Sequence, residues 1–441
     1  MEFELTKEMR EAMDIINNTK QSLYITGKAG TGKTTFLKYI IKHTNKNIVV
    51  AAPTGVAAVN AGGTTLHSLL SIPFGIAIHG SKGQRRLSRE RMSVIKRMDI
   101  LVIDEISMVR ADVMDFVNAR LCEVRSNGKP FGGVQLVMFG DLYQLPPVVK
   151  KEEDAILKRF YKAPYFFNAN IFDRCEFRII ELTKIFRQTD EHFIQLLNHL
   201  RAYQITNADL ERLKMICNVR ECNDFNSNRV HICSLRSEVQ AINEGQLGEP
   251  THVFSAFITG DFLESNAPCD VDLKLRVGAR VMMLKNDSEE RKYYNGSLGT
   301  VTAITDSIIS VSLDNGLHTE VGRHAWKTYE YEVNDEDKIV AKEKGSLEQF
   351  PIALAWAVTI HKSQGLTFDR VAIHANRIFA PGQIYVALSR CTSLEGIVTD
   401  TFIGRRHVLP NRELVAFEEA YKDNGYIFDD RTKEIAERDF A

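Results

Sequence analysis

Gly27-Lys28-Ala29-Gly30-Thr31-Gly32-Lys33-Thr34 decides how the rest of this chain is read. The spacing is that of a phosphate-binding loop. It lies between a short apolar run, Leu23-Tyr24-Ile25-Thr26, and a helical pattern running from Thr35 to His43. Strand, glycine-rich loop and helix in that order turn successive backbone N–H groups, and the positive end of a helix, onto one polyphosphate. Glycine supplies the backbone angles that such a cradle needs. The expected nucleotide contacts are therefore Gly27, Ala29, Gly30, Thr31, Gly32, Lys33, Thr34 and Thr35. Among them Lys33 reaches the β- and γ-phosphates, and the Thr34 hydroxyl holds Mg²⁺. The alternative is a glycine-rich turn between strand and helix that holds no ligand.

Working outward, residues 23–26, 48–53, 100–103 and 136–139 read as buried strands. Between Met108 and Val124, the residues Val109, Val113, Val117, Leu121 and Val124 recur at helical spacing. Strands alternating with helices predict a parallel sheet covered on both faces, with ligands off the carboxyl ends of the strands. The phosphate loop, Asp104-Glu105 and Asp141 all fall just past such ends. A second α/β set follows, with strands at 231–235 and 371–374 and a helix at 384–388. Between them the composition becomes β-branched, at 280–284, 298–305 and 308–313, with turn signals Asn295-Gly296 and Asp314-Asn315-Gly316. The fold class expected is α/β, with a small β-barrel inserted in the second parallel-sheet domain. The domains expected are 1–180 with a small insertion at about 72–95, 181–410 with the β-rich insertion at 250–349, and a charged helical tail at 411–441.

Composition sets bounds. With 441 residues, 44% hydrophobic and 26% charged, the chain reads as a soluble protein of several domains. No apolar run approaches the roughly 20 residues of a membrane span, so no membrane partner is expected. The N-terminus, Met1-Glu2-Phe3-Glu4-Leu5-Thr6, fits neither a secretory signal nor a transit peptide, and the expected location is cytoplasmic. Seven cysteines with no C-x-x-C pair fit a reducing compartment. Cys217, Cys222, His231 and Cys233 are loosely spaced for zinc and read as ordinary buried thiols in and near a strand. A net charge of −1 announces no nucleic acid, but Lys82, Arg85, Arg86, Arg89, Arg91, Lys96 and Arg97 crowd one stretch against Glu90 alone. That stretch is either a phosphate-tracking patch or a solvated loop.

The chemistry extends past the loop. Asp104-Glu105 ends an apolar run about 70 residues after the loop, a spacing that makes the acid pair the second half of a nucleotide site. Asp104 is assigned to the metal and Glu105 to the attacking water. Gln144, in Gly140-Asp141-Leu142-Tyr143-Gln144-Leu145-Pro146-Pro147, carries an amide that both donates and accepts, which suits a γ-phosphate sensor; a proline-terminated turn explains it equally well. Arg187 and Arg390, in separate parts of the second α/β region, suit the neutralisation of charge on a transferring phosphoryl group.

Seven segments in order resemble the petite-integration-frequency (PIF) family of superfamily 1 DNA helicases. They are the loop at 27–34; Pro53-Thr54-Gly55-Val56-Ala57-Ala58 with Gly62-Gly63-Thr64-Thr65-Leu66-His67; Asp104-Glu105-Ile106-Ser107-Met108 and its continuation to Arg125; residues 140–147; Phe186-Arg187-Gln188; Thr359-Ile360-His361-Lys362-Ser363-Gln364-Gly365; and residues 383–390. RecD-like helicases share much of this pattern. The resemblance implies two RecA-like motor domains, ATP in the cleft between them, and single-stranded DNA across their top with 5′→3′ movement. It implies a wedge-side insertion in the first motor and an SH3-like module in the second.

By the same resemblance Arg187 and Arg390 are the arginines of the second motor, and Gly365 lies near the phosphates. Thr54, Val56, Thr65, His67, Thr359, His361 and Lys362 fall on the DNA path. His rings offer stacking faces and Thr hydroxyls offer donors to phosphate oxygens. One departure stands out: the family commonly carries a Gln that reads adenine where this chain has Met9, whose thioether forms no such bonds. Met9 is expected to pack against the base instead. The implied activity is that of an ATP-dependent, Mg²⁺-requiring DNA helicase of bacterial, nucleoid-associated type, acting on tailed duplex, fork or G-quadruplex DNA; a monomer is expected because no coiled-coil pattern or large apolar surface helix stands out. The family's roles in replication, repair, recombination and telomere maintenance come with it. The rival readings are an RNA-directed helicase, and a DNA-stimulated ATPase that clamps DNA or remodels a bound protein without unwinding.

Overall fold

The computed structural model describes residues 5–73, 75–77, 86–188, 190–225, 227–287, 290, 292–334, 338–378 and 380–422. Lys82 and Arg85 of the basic stretch, and residues 423–441 of the expected tail, lie outside the described residues. Contacts divide the chain into two compact units. The first comprises Met1–Phe186, Lys327–Gly345 and Asn411–Ala441; the second comprises Arg187–Trp326 and Ser346–Pro410.

In the first unit the apolar runs become strands buried along their length, apart from the half-buried Ile48: β1 (Ser22–Gly27), β2 (Ile48–Ala52), β4 (Ile100–Ile103) and β5 (Gln135–Phe139). A strand covered on both faces needs a continuous apolar run rather than an alternating one. With the short β3 (Thr64–Thr65) and β6 (Phe177–Leu182) they form one sheet, in the order β3-β2-β4-β5-β1-β6. Its pairings are parallel, as in Leu23 opposite Val137 and Ile103 opposite Met138.

Helices cover it: α1 (Lys7–Asn18), α2 (Lys33–His43), α3 (Gly55–Ala61), α4 (Leu66–Leu70), α5 (Arg89–Arg97), α6 (Ala111–Arg125) and α7 (Lys151–Leu157). Thr6 caps α1, and its face of Met9, Ala12, Ile15 and Ile16 sinks into the core with Phe36, Leu37 and Val137. Two helix starts differ from the sequence expectation. Helix α2 begins at Lys33 rather than Thr35, because Gly32 takes the left-handed conformation as its N-cap. Helix α6 begins at Ala111 rather than Met108, because Ile106–Met108 winds a separate 3₁₀ turn.

The second unit carries α8 (Glu191–Arg201), α9 (Asn207–Met215), α10 (Val219–Cys222), β7 (Val230–Cys233) and α11 (Arg236–Leu247). The chain then becomes β-rich: β8 (His252–Ser255), β9 (Phe257–Gly260), β10 (Asp272–Leu275), β11 (Arg280–Met283), β12 (Leu298–Ile304), β13 (Ile309–Leu313), β14 (His318–Val321), β15 (His324–Val333), β16 (Ile339–Gln349) and β17 (Ile352–Leu354). It returns to α/β through β18 (Ala357–Thr359), α12 (Ile360–Ser363), β19 (Val371–Ile373), α13 (Gln383–Leu388) and β20 (Ile397–Thr399).

The parallel sheet runs β18-β7-β19-β20. Inserted in it, five antiparallel strands run β14-β13-β12-β11-β17, bent by an irregularity between Val301 and Ala303. They pack around Leu275, Val281, Val301, Val311, Phe350 and Ile352. The insertion extends past the expected residue 349, because β17 pairs with β11. The turn at Asp314-Asn315-Gly316 forms as expected, with Gly316 at φ +83°.

Two segments group with the first unit. Within Lys327–Gly345 the Tyr331 hydroxyl accepts from the Val50 N–H at 3.2 Å, and Glu330 pairs with Arg91 at 2.9 Å. Helix α14 (Arg412–Lys422) stacks Phe417 on Phe167 with 4.1 Å between ring centroids, while Asn411 donates to the Tyr165 hydroxyl. The sequence assigns 327–345 to the second motor's insertion; these bonds tie it to the first unit instead. Among the described residues no helix is long and apolar enough to cross a membrane.

Candidate nucleotide and nucleic-acid site

Strands β4, β5 and β1 are neighbours in the first sheet, so the segments leaving their carboxyl ends converge. These are the phosphate loop after β1, Asp104-Glu105 after β4 and Gly140-Asp141 after β5. Gly27 has no room for a side chain: a Cβ there would stand 2.8 Å from the Leu182 carbonyl oxygen and 2.7 Å from Thr31 Oγ1. Gly32, at φ +82°, makes the left-handed turn that opens α2. Lys33 and Thr34 thus sit in the first helical turn, where free N–H groups carry partial positive charge. The Lys33 ammonium lies on the Gly27 and Lys28 carbonyls at 2.6 and 3.1 Å. Thr31 Oγ1 donates to the Lys28 carbonyl at 2.9 Å, closing the loop on itself. Thr34 and Thr35 are exposed.

Asp104 and Glu105 reach this loop. Burial raises the Asp104 carboxyl above the ordinary carboxylate range, while the Glu105 N–H and the Lys33 charge pull it back. The Glu105 N–H donates to Asp104 Oδ1 at 3.0 Å. A carboxylate penalised by burial gains from a nearby cation, so Asp104 with the exposed Thr34 hydroxyl fits a hard divalent ion. Glu105 itself holds φ +50°, a left-handed conformation that costs a non-glycine residue about 1–2 kcal/mol. Strain of this kind concentrates where a side chain must be aimed. Gln144 is buried, and its Nε2 donates to Asp141 Oδ2 at 3.3 Å, so a buried acid fixes the amide's orientation.

Met9 is wholly buried in the first core, which corrects the expectation that it packs against a base: the apolar face of α1 turns it inward beneath Gly32. The apolar group exposed beside Gly32 is Phe186. Its ring would lie 3.7 Å from a Cβ there, its N–H donates to the Gly30 carbonyl at 2.9 Å, and the Lys184 ammonium lies 5.1 Å from the ring centroid. The sequence quoted Phe186 only as a neighbour of Arg187.

The residues expected on the nucleic-acid path share one local device. Thr54, Thr65 and Thr359 are the N-caps of α3, α4 and α12, each at or just past a strand's end, and accept from the N–H of Ala57, Ser68 and Lys362 at 3.3, 3.1 and 3.0 Å. Capping uses an acceptor lone pair and leaves the hydroxyl proton for another partner. Val56 is exposed beside Thr54. The His67 imidazole is held below its usual value by burial and then by Arg110, and that of His361 by burial and then by Arg236. Both rings therefore favour the neutral form that stacks. Lys362 and Gly365 are exposed.

In the second unit Arg187 and Arg390 come together. Arg187 Nη1 donates to the Ser389 carbonyl at 3.2 Å, and burial lowers the guanidinium from its ordinary value. Arg390 is buried, donating from Nε to the Val386 carbonyl at 2.9 Å and from Nη2 to Ser389 Oγ at 2.8 Å. Ser389 itself went unread in the sequence, as any serine before an arginine would. His231, weighed with three cysteines, instead pairs its Nδ1 with His374 Nε2 at 3.0 Å, and Asp400 completes that chain at 3.3 Å from His374 Nδ1. Among the described residues no group of His, Cys, Asp and Glu is arranged to hold a metal ion.

Residues 4–210 match the model of the PIF1-like helicase family. Among solved structures, Bacteroides sp. Pif1 in complex with ADP-AlF4 is 49% identical, covering 96% of this chain and 98% of its own, with a TM-score of 0.92. The same relative bound to single-stranded DNA superposes with a TM-score of 0.70. Among curated proteins, the ATP-dependent DNA helicase PIF1 of Homo sapiens is 37% identical over 392 residues. That match takes in 86% of this chain and 58% of the human protein, so the chain spans little more than half of that relative. The ATP-dependent DNA helicase Pif1 of Bdellovibrio bacteriovorus is 30% identical over 90% of this chain and 88% of its own length.

Proposed function

Since the chain belongs to the PIF1-like helicase family, we propose that it uses ATP hydrolysis to move 5′→3′ along single-stranded DNA and to separate duplex strands. The observation that carries this reading is the convergence of phosphate loop, strained acid and buried amide at the ends of β4, β5 and β1. With a triphosphate in the loop, backbone N–H groups at the start of α2 take its oxygens, and the Lys33 ammonium exchanges its carbonyl partners for the β- and γ-phosphates. Thr34 and Asp104 hold Mg²⁺, which when bound neutralises charge on the phosphate oxygens. Glu105 orients the attacking water and accepts its proton. Gln144, aimed by Asp141, reports whether the γ-phosphate is present. Arg187 and Arg390 neutralise the charge that develops as the phosphoryl group transfers.

The exposed Phe186 ring beside Gly32 is the surface on which the base rests, with Met9 supporting the loop from within; Gly365 stays near the phosphates. Thr54, Val56, Thr65 and His67 in the first unit, and Thr359, His361 and Lys362 in the second, grip the strand through its phosphates and by stacking. Such contacts read no base edges, which suits a motor that must traverse any sequence. Monomeric action, G-quadruplex and fork substrates and a cytoplasmic, nucleoid-associated setting complete the proposal.

The test is unwinding of a fluorescent duplex bearing either a 5′ or a 3′ single-stranded tail, with ATP and Mg²⁺. Strand separation on the 5′-tailed duplex alone is expected. Activity on the 3′ tail alone contradicts the polarity. DNA-stimulated hydrolysis with no strand separation turns the reading to a clamp or remodeller, and stronger stimulation by RNA than by DNA turns it to an RNA motor.

A further inference from the structure

Arg187 and Arg390 lie in different segments of the sequence, yet one residue holds both. The Ser389 carbonyl accepts from Arg187 Nη1 and from Gln188 Nε2, each at 3.2 Å. The Ser389 hydroxyl accepts from Arg390 Nη2 at 2.8 Å and donates to the Val386 carbonyl at 3.0 Å. Gln188 also donates to the Cys391 carbonyl at 3.2 Å, so the backbone on both sides of Arg390 is braced from the segment that carries Arg187. Arg390 also donates to the Val386 carbonyl at 2.9 Å from Nε and to the Ser363 carbonyl at 3.4 Å from Nη1. Ser389 is 0% and Gln188 4% exposed, so water does not compete for these bonds.

We propose that Ser389 is a positioning residue for hydrolysis: its carbonyl sets Arg187, its hydroxyl sets Arg390, and the two guanidiniums are presented as one body. This rests on the reading that both arginines serve the triphosphate. A guanidinium is a rigid plane with donors in fixed directions, and three acceptors at Nε, Nη1 and Nη2 leave that plane one orientation. Two of the three are backbone carbonyls that no side-chain change removes. The third, Ser389 Oγ, is held in its rotamer by its own bond to Val386, one turn back in α13. Its removal leaves Arg390 in place with its plane free to tilt. Because the carbonyl of the same residue receives Arg187, a shift at position 389 moves both arginines.

The experiment is single-turnover ATP hydrolysis with saturating single-stranded DNA, on the wild type, Ser389→Ala, Arg390→Ala and the double variant, with ADP affinity measured on each. Ser389→Ala should hydrolyse about tenfold more slowly with unchanged ADP affinity, as expected for losing one hydrogen bond to a charged group. In the Arg390→Ala background the serine change should cost nothing further, because the hydroxyl acts through Arg390. The same fractional loss in both backgrounds means a purely structural hydroxyl and overturns the proposal. So does a Ser389→Ala rate within twofold of wild type. A wild-type rate in Arg390→Ala is a different failure: it removes the arginine reading on which the proposal stands.

Discussion

In the first unit β1 opens into a loop with Gly30 and Gly32 at φ +83° and +82° and a helix that begins at Lys33. In the second unit β7, likewise flanked by parallel strands, opens into α11 through Ser234 and Leu235 with no glycine at all. Leu235 offers α11 no side-chain cap. The same sheet plan therefore carries a glycine-rich loop, the proposed polyphosphate cradle, in one unit and lacks it in the other. What the second unit contributes is a pair of arginines braced by Ser389. Chemistry follows the turn at a strand's end rather than the sheet behind it. On the proposed function, the division is between a unit that binds and a unit that neutralises.

The sharpest way to break that division is Lys33→Ala. It should lower kcat/KM for ATP by about a thousandfold or more, and weaken ADP binding with it, in titrations beside steady-state rates. Unchanged nucleotide affinity would mean that the cradle is not where binding energy is gained. Phe417→Ala sharpens the comparison from the side of stability. The side chain is 7% exposed and stacked on Phe167, so its loss should cost about 3 kcal/mol, read as a shift in urea unfolding of the first unit.

His231→Leu probes the second unit. Burial, then His374 and Arg229, push the His231 imidazole down to about 3. The folded form therefore stays neutral while the unfolded form protonates below its ordinary value of 6.5. Stability accordingly falls as pH drops from 6.5 toward 3, by up to about 1.4 kcal/mol per pH unit, and the variant should lose most of that slope. Unfolding midpoints across that pH range would show it. The smallest effect belongs to Tyr331→Phe, which leaves the Val50 N–H without its partner and should cost about 1 kcal/mol by the same unfolding assay.

How much of this could be read beforehand follows from the range of each interaction. The phosphate loop, the acid pair and the buried strands were legible because their meaning lies within a few residues: spacing, an apolar run, a carboxylate at its end. The β-rich insertion was legible from alternation and turn residues, and Gly316 takes the positive φ that its turn signal requires. Three features were not. Met9 was expected against the base because it stands where the resembled family commonly carries a Gln, but the apolar period of α1 turns it into the core. Residues 327–345 read as part of the second motor, while Tyr331 meets Val50 across 281 positions of sequence. Ser389 meets Arg187 across 202, and no local pattern marks the carbonyl that does so.

The division of labour is tested most directly by Arg187→Ala, with nucleotide affinity and single-turnover hydrolysis measured on one preparation in the presence of single-stranded DNA. The account predicts ADP and ATP affinities within about threefold of wild type and a hydrolysis rate lowered about a thousandfold. A variant that hydrolyses normally, or one that loses nucleotide binding as Lys33→Ala does, would contradict it.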